Sequence, residues 1–293
     1  MGRIRVFSVI FCFFIPTIIY GENKNTDSDA GSYSIHKQIQ YGFTIQNKSN
    51  RLLEKAEFWT YAPVKQTSTQ RCCIKIDASH PYELIEDELG NQILHFTLEN
   101  LPPFVSKIIT IKADLELFDI STPFPLHSKS FIEAERFIES DDKEIKQLAN
   151  KLRGSSVVKT SENMFNWVAD NIKYTGYLRD ERSALYALKN REGDCTEFAY
   201  LFVAMSRANN IPARSIGGYV YSKNAILKAS DYHNWAEFYD EGVWRIADPQ
   251  KKVFMKDQSN YIAMRIMGTS QNNPMGEFNR FRFSGEGLKV RMN

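Results

Sequence analysis

The segment Gly193-Asp194-Cys195-Thr196-Glu197-Phe198-Ala199 places a cysteine where an irregular stretch turns into a helix. Phe198, Leu201, Phe202, Met205 and Ala208 recur at helical spacing and form one apolar stripe. Cys195 then occupies the first helical turn, where unpaired N–H groups and the positive end of the helix dipole favour a thiolate. Gly193, without a side chain, leaves the sulfur open to close approach. A nucleophile of this kind needs a base, and the base needs an orienting group.

His233 and Asp248 are the candidates for those two roles. His233 begins an aromatic run, Tyr232-His233-Asn234-Trp235-Ala236-Glu237-Phe238-Tyr239, that reads as a strand. Asp240-Glu241-Gly242 reads as a turn, and Val243-Trp244-Arg245-Ile246-Ala247 as a second strand ended by Asp248-Pro249. A tip centred between Asp240 and Glu241 places His233 directly opposite Asp248, on one face of the hairpin. The carboxylate can then accept the imidazole N–H and fix the tautomer that removes the sulfur proton. A tip at Glu241-Gly242 slips the register by one and calls for a bulge to restore the facing. A lone cysteine is more often a small core residue, and a lone histidine has no role by default. The ordered set, on these elements, points to acyl transfer through a thioester.

With Gly193-Asp194-Cys195, Glu197-Phe198-Ala199, His233 with Trp235 and Glu237, and Trp244 with Asp248-Pro249, the chain resembles the transglutaminase-like superfamily. Ile211-Pro212-Ala213-Arg214 and Gly217-Gly218-Tyr219 are similar to the family's segment between the cysteine helix and the histidine strand. The resemblance covers roughly residues 140–255 and its motifs are specific. It implies a papain-related α+β core in which Cys195 is the nucleophile, His233 the base and Asp248 the orienting acid. The family also contains proteases, peptide N-glycanases and members without activity, so the resemblance implies chemistry more firmly than substrate. The backbone N–H of Cys195 is the natural first oxyanion donor. Trp167, Tyr174, Asp194 and Trp235 are further candidates for substrate binding or the oxyanion site.

Secondary-structure patterns position these residues in the second half of the chain. Asp141 with Glu144 reads as a helix start ahead of Ile145, Leu148, Ala149 and Leu152. A second helix is expected from about Ser161 to Tyr174, with Trp167 and Tyr174 near its far end, and a third around Ser183 to Lys189. Residues 222–230 border the expected cleft. Tyr261 to Met267 and Phe278 to Val290 read as outer strands of the catalytic sheet. The first half carries about six alternating strands between residues 36 and 118 with turns between them, the pattern of an immunoglobulin-like β-sandwich. Ser121-Thr122-Pro123-Phe124-Pro125 breaks it. The expected fold is therefore α+β: sandwich 35–120, linker 121–134 and catalytic domain 135–293.

Residues 1–21 read as a secretory signal, with Arg3 and Arg5 before the apolar run Val6 to Ile15, and residues 22–34 as a flexible polar leader. A secreted or periplasmic chain follows, or one anchored by an uncleaved N-terminal segment; the mature chain carries no stable membrane span. Of 37 Lys and Arg, Arg3 and Arg5 leave with the signal, so the mature chain balances 35 acidic residues. Nothing there points to nucleic acid. Cys72 and Cys73 are adjacent, with Cα atoms about 3.8 Å apart, below the usual disulfide range, and a bridge to Cys195 would consume the nucleophile. No structural disulfide is expected. His36, His80, His95 and His127 have no metal-ligand spacing, so no metal or cofactor is expected. The expected partner is a protein or peptide substrate, a cell-wall peptide being one such class; oligomeric state is left open. Three functions remain: a transglutaminase-like amide hydrolase or acyltransferase, a peptidoglycan-directed Cys-His peptidase, and a non-enzymatic surface binding protein.

Overall fold

The computed structural model describes residues 34–126, 128–177, 180–268, 272–276, 278 and 280–293, excluding the side chains of 73–75. The expected signal and the leader up to residue 33 lie outside the described residues. Among the described residues no helix is long and apolar enough to cross a membrane.

Six strands come first: β1 (Ser34–Asn47), β2 (Leu53–Ala62), β3 (Gln70–Ala78), β4 (Glu83–Glu86), β5 (Gln92–Leu101) and β6 (Ser106–Phe118). On β1 the period-two burial of Ile39, Tyr41, Phe43 and Ile45 gives one core-facing side. β3, β6 and β1 are neighbours in one sheet, and β4, β5 and β2 in another. Ile39, Phe43 and Ile111 from the first sheet share a core with Phe58, Phe96 and Leu98 from the second. The N-terminal half is thus a β-sandwich.

Four α-helices follow among the described residues, each started by a polar cap: α1 (Lys143–Lys151) by Asp142, α2 (Val157–Asn171) by Ser156, α3 (Ala184–Asn190) by Ser183 and α4 (Cys195–Ala208) by Asp194. α2 begins four residues earlier than its pattern suggests, because Ser156 supplies the cap. It ends before Tyr174, which lies instead in the short strand β7 (Lys173–Tyr174), parallel to β8 (Glu192–Gly193). Every residue of α4 from Thr196 to Arg207 is buried. It is a central helix, not a surface one with a single apolar stripe, since α1, α2 and α3 pack on it as well as the sheet.

That sheet has the order β13-β12-β11-β9-β14, from β9 (Ala213–Val220), β11 (His233–Asp240), β12 (Val243–Asp248), β13 (Val253–Phe254) and β14 (Tyr261–Ile266). The short β10 (Ala225–Ile226) leaves it and pairs in parallel with β1. β14 joins the sheet of His233 and Asp248 as expected. The last strands do not: β15 (Phe281–Ser284) pairs with β2 and β16 (Leu288–Met292) with β1. The expectation that they widen the catalytic sheet is corrected. They cover the edges that β1 and β2 would otherwise leave open, and Leu288 reaches the sandwich core from β16. Residues Ser32–Asn293 form one compact unit. Lys37 of β1 helps to tie it together, donating from its buried Nζ to the carbonyls of Tyr221 (2.7 Å) and Ser259 (2.6 Å).

Cys72 is disulfide-bonded, whereas Cys195 is free. The expectation of no disulfide is therefore corrected. It rests on the usual Cα spacing of disulfides, and Cys72 stands where the register of β3 shifts, between Cys72 and Ile76.

Candidate active site

Cys195 is the first residue of α4. Asp194 caps the helix, its carboxylate accepting the Thr196 N–H at 2.7 Å, and Glu197 closes the box by accepting the Asp194 N–H at 2.8 Å. Glu197 also accepts the Arg182 N–H at 2.9 Å, which ties the preceding loop to the helix start. A Cβ on Gly193 would sit 2.5 Å from the Glu197 Cβ. The glycine is thus required by the capping box, a reason the sequence pattern alone does not supply.

His233 and Asp248 meet: His233 Nε2 lies 2.6 Å from Asp248 Oδ2. Their hairpin differs in register from the expected one. Asp240 pairs with Val243 and Ala236 with Ala247, so the tip is Glu241-Gly242, both with positive φ (48° and 86°). Continuing that register puts Asp248 across from Trp235 and diagonal to His233. Moving the tip by one residue moves each partner by two, which preserves the face, so no bulge is needed. The Asp248 carboxylate is wholly buried and is further held by the Tyr261 hydroxyl (2.9 Å) and the Lys251 N–H (3.0 Å). With Asp248 on Nε2, Nδ1 is the ring nitrogen not engaged by that carboxylate.

Cys195 opens into a cleft of about 540 Å³ that Tyr174, Tyr177, Asp194, Tyr232, Asn234 and Arg280 also line. Burial first, and the Asp194 carboxylate second, push its thiol up to about 12, against the Asn234 backbone N–H, which lowers it. The preference of a helix N-terminus for a thiolate is outweighed here.

The remaining sequence candidates separate. Tyr174 reaches the cleft because β7 runs beside β8, the strand leading into Asp194 and Cys195. Its hydroxyl is raised by burial and then by Cys195 and Asp194. Trp167 does not line the cleft; its ring stacks under the Arg191 guanidinium at 4.5 Å. Trp235 is buried beneath the site, 6.4 Å from the His233 ring and edge-on to Tyr261 at 5.1 Å. It supports the imidazole and does not face the cleft. Asp194 lines the cleft as the cap.

Residues 222–230 contribute Ala229 and Ser230 to the lining. Tyr232, Asn234 and Arg280 are cleft residues that sequence reasoning missed. The first two flank His233, and that adjacency is a signal that could have found them. Arg280 gives no such signal, because only the return of the C-terminal strands to the sandwich brings it there. Asn234 Nδ2 donates to Thr196 Oγ1 at 2.9 Å, locking β11 onto the start of α4.

Residues 146–249 match the family model of the transglutaminase-like superfamily. A protein of Cytophaga hutchinsonii assigned as a cysteine protease is similar in structure, with a TM-score of 0.61 at 18% identity over 89% of this chain and 91% of that one. The periplasmic domain of TgpA from Pseudomonas aeruginosa aligns with a TM-score of 0.39 at 12% identity, over 69% and 88%. In sequence, UPF0252 protein MJ1282 of Methanocaldococcus jannaschii is 27% identical over 133 residues. That match spans 42% of this chain and 38% of the relative's length. The recognised segment is thus a transglutaminase-like core, and the whole fold is shared with the C. hutchinsonii protein.

Proposed function

Given a transglutaminase-like core, we propose that this chain is an exported cysteine enzyme that cleaves or transfers a peptide or glutamine-type amide. The observation carrying this reading is the buried 2.6 Å His233–Asp248 contact beside a helix that begins with Cys195 and opens into a cleft. In the proposed cycle His233 Nδ1 takes the thiol proton as sulfur attacks the amide carbonyl. The Cys195 N–H and the Tyr174 hydroxyl donate to the oxyanion. The imidazolium returns the proton to the departing amine, leaving a thioester. Water then gives an amidase or peptidase, and an amine gives a transamidase. Hydrolysis is the favoured branch, because no distinct amine site can be read among the described residues lining the cleft. Export is supported by the basic and apolar N-terminal segment and by the bonded state of Cys72, which suits an oxidising compartment. Cell-wall peptides are then one substrate class to include.

The second reading is a non-enzymatic periplasmic or surface binding protein, favoured by the burial and the Asp194 carboxylate that disfavour a thiolate at Cys195. Product analysis over a peptide library, with and without an added amine, decides between the readings. Cys195→Ala is expected to abolish turnover with its thermal melt unchanged. Asp248→Asn, which favours the wrong imidazole tautomer, should lower kcat by about 10³–10⁴-fold, with a smaller effect on KM. Turnover retained in Cys195→Ala defeats the enzyme reading.

A further inference from the structure

Arg280 is the one Lys or Arg among the described residues lining the cleft. It is held from both ends. Its guanidinium donates to the Ala229 carbonyl at 2.8 Å, in the loop before β11, and lies 5.5 Å over the Tyr232 ring. Its own carbonyl accepts from the Thr60 hydroxyl at 3.1 Å and the Tyr61 N–H at 3.4 Å, both on β2 of the sandwich. No carboxylate among the described residues forms an ion pair with it. The acids on the same wall are engaged elsewhere: Asp194 caps α4, and Glu181 accepts from the Tyr200 hydroxyl at 3.4 Å. A guanidinium with one N–H committed to a carbonyl keeps most of its planar fork for a two-oxygen acceptor. Tyr232, Arg280 and Cys195 line the same cleft.

We propose that Arg280 makes the cleft selective for substrates bearing a free carboxylate next to the amide to be attacked. The sandwich, by holding the Arg280 backbone, then forms part of the wall that reads the substrate. This rests on the cleft being the acyl-transfer site. The carboxylate has two sources, the C-terminus of a short peptide or an acidic side chain.

The test reads binding and not turnover. Cys195 in the full chain is alkylated with iodoacetamide while blocked dipeptides compete for the cleft. One pair is acetyl-alanyl-alanine as free acid and as amide; the other is acetyl-glutamyl-alanine amide against its glutaminyl counterpart. In at least one pair the acid should protect about tenfold more tightly than its neutral partner, the scale of one charge-assisted fork. The discriminating pair identifies the source. Arg280→Gln should bring that ratio to within about twofold, and Arg280→Lys should retain part of it as a point charge. Ratios are taken within each variant, so a general change in cleft shape cancels. Should Arg280→Gln not fold, the Arg280→Lys ratio and its loss at raised salt carry the test. Equal protection by acid and neutral peptides, no protection by any, or a ratio that survives Arg280→Gln overturns the proposal. Those outcomes leave the acyl-transfer reading intact, which depends on turnover and on the His233 dependence of alkylation.

Discussion

At Cys195 the helix terminus and the surrounding acids act in opposite directions. With the thiol pushed up to about 12, the thiolate is roughly one part in 10⁵ at pH 7. In the proposed cycle, attack on a substrate then depends on proton transfer to His233 and not on a standing thiolate. In His233→Ala the logarithm of the iodoacetamide rate should climb with pH at slope one up to at least about pH 10, as a thiol of this kind titrates. The wild type should lie above that line near neutrality. Superposed profiles would remove His233 as the base. Asp194 is the second cause of the raised thiol, so Asp194→Asn should speed alkylation at pH 8 by roughly three- to tenfold. Asparagine also caps helices, so the melt should barely move; Asp194→Ala should in addition lose about 0.5–2 kcal/mol. Slower alkylation in Asp194→Asn would show that capping geometry outweighs charge at this sulfur.

Among the elements, the start of α4 carries its own titration. Burial, opposed by the Asp194 N–H and reinforced by the Asp194 charge, raises the Glu197 carboxyl from 4.5 to about 7. The native state therefore holds this proton more tightly than the unfolded chain does. The resulting stability is full below about pH 4.5 and is lost as pH rises through about 7. Glu197→Gln cannot titrate, and it presents one acceptor where Glu197 accepts two backbone N–H groups. The margin of wild type over Glu197→Gln in urea unfolding should therefore shrink between pH 5 and pH 8; a widening margin reverses the sign argued here. The capping box is partly legible in the sequence, since Asp194 and Glu197 stand three apart. The hairpin is legible as two strands and a turn, but not in register. Asp240-Glu241-Gly242 admits two tips, and only the positive φ values of Glu241 and Gly242 select one. That choice moves Asp248 from opposite His233 to its diagonal on the same face, so the facing holds with the pairing wrong. β7 reads in sequence as the end of α2, while its pairing to β8 is a tertiary contact no local pattern encodes.

For the whole molecule, the return of the chain to its first domain matters most. Alternation in β1, β2, β5 and β6 makes a sandwich legible, because each strand buries one face. Periodicity says nothing about which sheet edge a late strand will join, and β15 and β16 join the two sheets of the sandwich rather than the one expected. The actual pairing makes the sandwich discontinuous in sequence: β16 matches Phe43–Asn47 and β15 matches Glu57–Thr60. A chain ending at residue 280 would thus lose two strands of the sandwich and none of the sheet that carries His233 and Asp248. Leu288 is buried and Phe281 is packed against Phe43 at 5.3 Å. Exposing two such side chains costs roughly 3–6 kcal/mol before any lost hydrogen bonds. The melting temperature of the truncated chain should fall by about 10 °C or more. A sandwich and a catalytic domain of independent stability would instead leave the catalytic transition unmoved. Calorimetry distinguishes the two. One cooperative transition shifted as a whole fits the single compact unit, whereas a second transition at the wild-type temperature fits separable domains. The Cys195 alkylation rate should change in the same truncated chain, because β15 directly follows Arg280 and fixes how that side chain enters the cleft. An unaltered rate, together with an unmoved melt, would show that the C-terminal strands decorate the sandwich without shaping the site.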